Sequence, residues 1–136
     1  MAKHRTLSQK NEYYIPKEDY LTAIHYSRRY PLWLAEIQTA ADTSKAIRYD
    51  MDKVQTSVGN GDTTANTAIR ISALIDKVNT IEDTIRDVAM GMDYYLRLGV
   101  CYKLTFKELK GKGMPCERTT YYKIRQHYYY ELSKKI

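Results

Sequence analysis

Apolar side chains recur along this chain at helical spacing. Trp33, Ile37, Ala40, Ser44, Ile47, Met51 and Val54 follow one another at alternating steps of four and three. Ile71, Leu74, Val78, Ile81, Ile85, Val88 and Met92 repeat the same alternation. Each run predicts an apolar seam on a helix of about six turns. Between them, Thr56 to Thr64 contains Gly59-Asn60-Gly61, a chain-reversal signal. Two seams joined by a short reversing loop predict a long antiparallel helical hairpin. The competing arrangement pairs the second seam with its copy in another subunit, as a coiled coil. The favoured reading is a hairpin with enough apolar surface left over to dimerise. Upstream, Pro16 followed by Lys17, Glu18 and Asp19 suits a helix start. The helix predicted from Lys17 to Arg29 has Tyr20, Leu21, Ile24 and Arg28 on one side, and Pro31 ends or kinks it. Residues 1–14 show no periodicity and read as an arm. No strand-like alternation survives, so the fold class expected is all-α.

The last third has a different grammar. Thr105 and Glu108 have capping-box spacing, and Leu104, Phe106 and Leu109 supply apolar anchors. Gly111 and Gly113 both tolerate positive φ and stop that short helix, after which Pro115 precedes a longer one starting near Cys116. Short helix, glycine turn and longer helix is the layout of a helix-turn-helix. On the longer helix Tyr121, Ile124, Tyr128 and Leu132 share one face and are expected in the core. Thr119, Lys123, Gln126 and Tyr130 lie opposite, with Arg118, Tyr122, Arg125 and His127 on the flanks.

Charge gives this layout a purpose. The chain has 136 residues and a formal net charge of +6. Residues 94–136 hold ten basic and three acidic residues, a net +7, while residues 1–93 sum to −1. The excess sits in the expected helix-turn-helix, and Lys3, Arg5 and Lys10 make the N-terminal tip basic as well. Readout in a major groove requires donors and acceptors on the first turns of the entering helix. Arg118, Thr119, Thr120, Tyr122, Lys123 and Gln126 fit that position by type. Arg125, Lys134 and Lys135 suit phosphate neutralisation. Of the 14 tyrosines, five (121, 122, 128, 129 and 130) fall in this helix. Tyr122, Tyr129 and Tyr130 are candidates for contact with sugar-phosphate or a protein partner.

Other classes find little support. A hydrophobic fraction of 43% argues against wholesale disorder. No stretch approaches the ~18 apolar residues of a membrane span, and no apolar run follows the basic start as a secretory signal requires. Two cysteines are too few for a disulfide scaffold, which points to the cytoplasm. HExxH, Walker, GxGxxG and GxSxG motifs are absent, so neither an enzyme nor a cofactor is expected. His4, His25 and His127 are scattered, and His25 reads as structural or solvated. Cys101 reads as a small core residue. Cys116, near a helix start, is a candidate for a lowered thiol pKa. Asp50 with Asp52, and Glu82 with Asp83 and Asp87, read as solvated helix faces rather than metal ligands.

Several short pieces carry a resemblance: Tyr13-Tyr14-Ile15-Pro16-Lys17-Glu18-Asp19-Tyr20-Leu21, Arg29-Tyr30-Pro31, Ala41-Asp42-Thr43, the Gly/Asn-rich loop before a long helix, and Glu117-Arg118-Thr119-Thr120-Tyr121-Tyr122-Lys123-Ile124-Arg125. Over most of its length the chain resembles the ArpU/RinA-like family of phage transcription regulators, and its last third is similar to sigma factor region 4. The resemblance implies a regulator of phage or prophage genes that binds promoter DNA, with the recognition-helix start on Arg118, Thr119 and Thr120, then Lys123. The run Tyr128-Tyr129-Tyr130 departs from that pattern, where basic or aliphatic residues are more usual.

The expected organisation is therefore an arm and helical hairpin over 1–93, for oligomerisation or partner binding, and a helix-turn-helix DNA-binding domain over 94–136. The expected partners are double-stranded DNA, a second copy of the chain and RNA polymerase, with no membrane and no small-molecule substrate. Two other classes remain: a small-terminase-like DNA packaging protein, and a helical adaptor whose basic tail binds an acidic protein.

Overall fold

The computed structural model describes residues 11–51 and 61–136, with side chains over 11–42 and 65–136. Among these residues there are six helices and no strand: α1 Lys17–Arg28, α2 Tyr30–Met51, α3 Gly61–Val88, α4 Asp93–Cys101, α5 Phe106–Gly111 and α6 Arg118–Lys135. No helix among the described residues is long and apolar enough to cross a membrane.

The described chain forms two compact units. One comprises Pro31–Asn79, and the other joins the stretch up to Tyr30 with Thr80–Ile136. The boundary expected at 93/94 is not where the units divide. The reason is packing: α1 lies chiefly against α6 and α4, so the first helix shares a core with the last. Tyr20, Ala23, Ile24 and Ser27 of α1 are buried, as are Tyr121, Ile124, Tyr128, Tyr129 and Leu132 of α6. Ser27 Oγ donates to the Ala23 carbonyl at 2.9 Å. It therefore accepts from the Tyr128 hydroxyl at 2.8 Å, in a fully buried contact. Tyr20 and Tyr129 meet edge to face with centroids 5.3 Å apart. Two of the three rings of Tyr128–Tyr130 are therefore core.

Most of the second seam is buried: Leu74, Val78, Ile81, Ile85 and Val88 are buried, and Ile71 and Met92 at its ends are half-buried. It ends earlier than the heptads suggest. Met90 and Gly91 take positive φ (52° and 88°), which breaks the helix, and Asp93 opens α4. No periodicity flagged this nine-residue helix as a separate element. In the Pro31–Asn79 unit, Trp33 is buried and Lys77 Nζ stands 5.4 Å from its ring centroid, which brings the beginning of α2 beside the later part of α3. The reversing loop and the first seam from Ser44 onward, with Asp50 and Asp52, fall outside the residues whose side chains are described.

A polar clamp joins α2, α3 and α4 in the other unit. Arg97 donates from Nε and Nη2 to the two oxygens of Glu82 at 2.8 and 2.6 Å, and the Tyr30 hydroxyl donates to the same carboxylate. Burial pushes the Glu82 carboxyl up, but the hydrogen bonds from Arg97 and Tyr30 and the Arg97 charge outweigh it, leaving the pKa lowered. Glu82 is therefore not a solvated acid. Asp83 pairs with Arg86 at 2.9 Å on the exposed surface, as expected of a helix face.

Candidate nucleic-acid interface

The geometry of α5, the following turn and α6 is set by local chemistry. The Thr105 side chain accepts from the Glu108 N–H at 3.2 Å and the Glu108 carboxylate accepts from the Thr105 N–H at 3.2 Å, completing the capping box. Gly111 is the last residue of α5, and of the two glycines only Gly113 takes positive φ, at 98°. Lys110 Nζ donates to the carbonyls of Met114 and Cys116 at 3.1 and 3.2 Å and ties the turn together. Leu109, Met114 and Tyr121 form the buried centre beneath, with Tyr95 and Leu98 of α4 packed against it. At Gly99 a Cβ would meet Tyr121 Oη at 2.0 Å, so only glycine lets α4 approach α6 this closely.

On that base the first turns of α6 stand free. Arg118, Thr119, Thr120 and Lys123 are exposed. Arg118 lies over the rings of Phe106 and Tyr122, 4.9 and 6.0 Å from their centroids. Arg125 is half-buried, 4.4 Å from the Tyr122 centroid and 6.0 Å from that of Tyr121. Burial pushes the Tyr121 hydroxyl up to about 12, against the opposing charge of Arg125. The same guanidinium opposes the rise that burial causes at Tyr20. Arg125 is thus woven into the tyrosine cluster between α1 and α6.

The middle of α6, around Gln126, His127 and Tyr130, is partly covered. Gln126, expected on the open face, is half-buried and donates through Nε2 to the Tyr13 carbonyl at 3.0 Å. The Tyr13 ring stacks on His127 with centroids 4.3 Å apart and tilts against Tyr130 at 5.6 Å. Asn11 fixes this segment by accepting from the backbone N–H of Tyr13 (through Oδ1) and of Tyr14 (through its carbonyl). The open face therefore stops short of Gln126, because the end of the arm lies across it.

The terminal lysines differ from each other. Lys134 is exposed, 4.0 Å from the Tyr130 centroid and 3.7 Å from Glu131. Lys135 donates to Thr84 Oγ1 at 3.0 Å and lies 3.6 Å from Asp87, so it ties the end of α6 to α3. Arg97 is likewise consumed by Glu82. Tyr129, a candidate for outside contact by type, is buried. Cys116 corrects another expectation: its thiol pKa is raised, chiefly by burial, and not lowered by the helix start. Cys101 is buried and its thiol is pushed up strongly for the same reason.

Sequence reasoning missed the Phe106–Arg118–Tyr122–Arg125 stack and the role of Gly99. A signal for the first was present, since Arg118, Tyr122 and Arg125 repeat at four and three. The chain matches no protein-family model, no curated protein and no solved structure.

Proposed function

We propose that this protein is a DNA-binding transcription regulator that presents the first turns of α6 to a major groove. The observation that carries the reading is the exposed set Arg118, Thr119, Thr120 and Lys123 at the start of α6. They stand on a helix braced by a buried core and preceded by a fixed turn. Those residue types donate and accept at base edges, and α5 with its turn makes the preceding arm of a helix-turn-helix. Lys103, Lys107 and Lys112 are exposed nearby in sequence and supply positive charge for the phosphate backbone. The ArpU/RinA-like resemblance assigns such a protein to phage or prophage promoters.

Self-association is part of this proposed function; Ile69 (69% exposed) and Ile75 (40% exposed) offer apolar side chains to it from different sides of α3. A dimer places two reading helices on one face of the duplex, with half-sites one helical turn apart or a multiple of it. The same surface also suits a packaging protein, which differs in assembling as a larger ring. Selection of bound duplexes from a random library tests the reading. A recovered site with defined symmetry and spacing supports it, and recovery of random sequence only contradicts it. Mass measurement in solution separates a dimer from a ring.

A further inference from the structure

We propose that Arg118 is a phosphate ligand held in a fixed orientation by Phe106 and Tyr122, which act as positioning residues for DNA binding. The inference rests on the regulator reading and assigns one of its residues a different task. Successive residues of a helix are about 100° apart, so Arg118 lies about 100° from Thr119 and about 140° from Lys123, and Tyr122 about 60° and 100° from them, which puts both on the flank of α6 beside that ridge. The ridge points at base edges when the helix enters a groove, and a flank faces the sugar-phosphate wall. Arg118 is exposed but not loose: its guanidinium packs on Phe106 at 4.9 Å and on Tyr122 at 6.0 Å. Phe106 comes from the first turn of α5 and packs against the Leu109–Met114–Tyr121 core. Tyr122 is itself packed against Arg125, whose guanidinium stands 4.4 Å from its ring centroid. A guanidinium on aromatic rings keeps its in-plane N–H groups available, and these match a phosphate with two parallel hydrogen bonds. Lysine has the charge but neither the plane nor the stack.

The test uses the full chain and two duplexes of equal length, one selected for tight binding and one random, titrated over a range of salt. Arg118→Lys is expected to weaken both duplexes alike, by roughly three- to tenfold, while the salt slope stays near the wild-type value. Arg118→Ala is expected to weaken both further and to lower the slope by about 0.9, the value of one phosphate contact. Phe106→Leu is expected to reproduce the Arg118→Lys loss, and Phe106→Tyr to restore binding. A thermal midpoint identifies any Phe106→Leu protein that has lost its fold, and Arg118→Lys, which alters no buried side chain, decides the matter then. Wild-type affinity for Arg118→Lys overturns the proposal. So does a loss confined to the selected duplex, which makes Arg118 a base reader. Absence of wild-type binding to either duplex at low salt overturns the regulator reading itself, an outcome distinct from the other two.

Discussion

The side-chain amide of Gln126 is bound to the main-chain carbonyl of Tyr13, 113 residues earlier, at 3.0 Å. This contact divides α6 in two. Its first turns carry the exposed Arg118, Thr119, Thr120 and Lys123, and the stretch at Gln126, His127 and Tyr130 is roofed by the segment that leads into α1. Gln126→Ala is expected to cost about 0.5–1.5 kcal/mol of stability and to leave sequence preference unchanged. Lys123→Ala is expected to leave stability nearly unchanged and to weaken a selected site by roughly 1–3 kcal/mol. Denaturant unfolding and duplex titration of the two variants check this pair. A change in preferred sequence caused by Gln126→Ala contradicts the division.

Gly99 and Tyr121 make a second pair that stands or falls together. Alanine in a helix is ordinarily better than glycine by about 1 kcal/mol. Here its Cβ would collide with the Tyr121 hydroxyl, whose ring is buried against Leu109. Gly99→Ala is therefore expected to destabilise by about 1–3 kcal/mol. The same substitution in a Tyr121→Phe background is expected to cost less, because the nearest atom is gone. A thermodynamic cycle on the four proteins measures the difference, and strict additivity contradicts the close approach.

Acid sensitivity follows from Glu82. Its folded pKa is lowered, so its pairing with Arg97 stabilises the fold above the unfolded carboxylate value. That contribution is lost as pH falls through the folded value. Glu82→Gln is expected to lower stability near neutral pH by about 1–3 kcal/mol and to flatten the acid limb of the stability–pH curve. Chemical denaturation between neutral and strongly acidic pH shows whether the limb flattens.

The cap of α5 gives a smaller and cleaner effect. Thr105→Ala removes the acceptor for the Glu108 N–H and is expected to cost about 1 kcal/mol. Thr105→Ser keeps the acceptor and is expected to recover most of that loss. Thermal midpoints of the two variants check the order.

Local chemistry was readable from the chain, and distant partnership was not. The capping box at Thr105 and Glu108, the start of α1 at Lys17 and the inward face of α6 at Tyr121, Ile124, Tyr128 and Leu132 each depend on residues within a few turns. Their spacing carries them directly. The wheel puts Gln126 outward and residue type suits Lys135 to phosphate, yet their partners are Tyr13, Thr84 and Asp87, far away in sequence. No helical period encodes which polar residue another segment will cover. Glu82 shows the same limit, since only the approach of Arg97 and Tyr30 distinguishes it from its exposed neighbour Asp83. The break at Met90 and Gly91 was hidden because Met92 continues the heptad spacing past the end of the helix.

The most direct test is titration of the intact protein with random duplex DNA across a range of salt. The account predicts binding at low salt whose logarithmic affinity falls linearly with the logarithm of salt concentration, together with a weaker salt slope for Arg118→Ala. No binding at the lowest salt, or binding indifferent to salt, contradicts it.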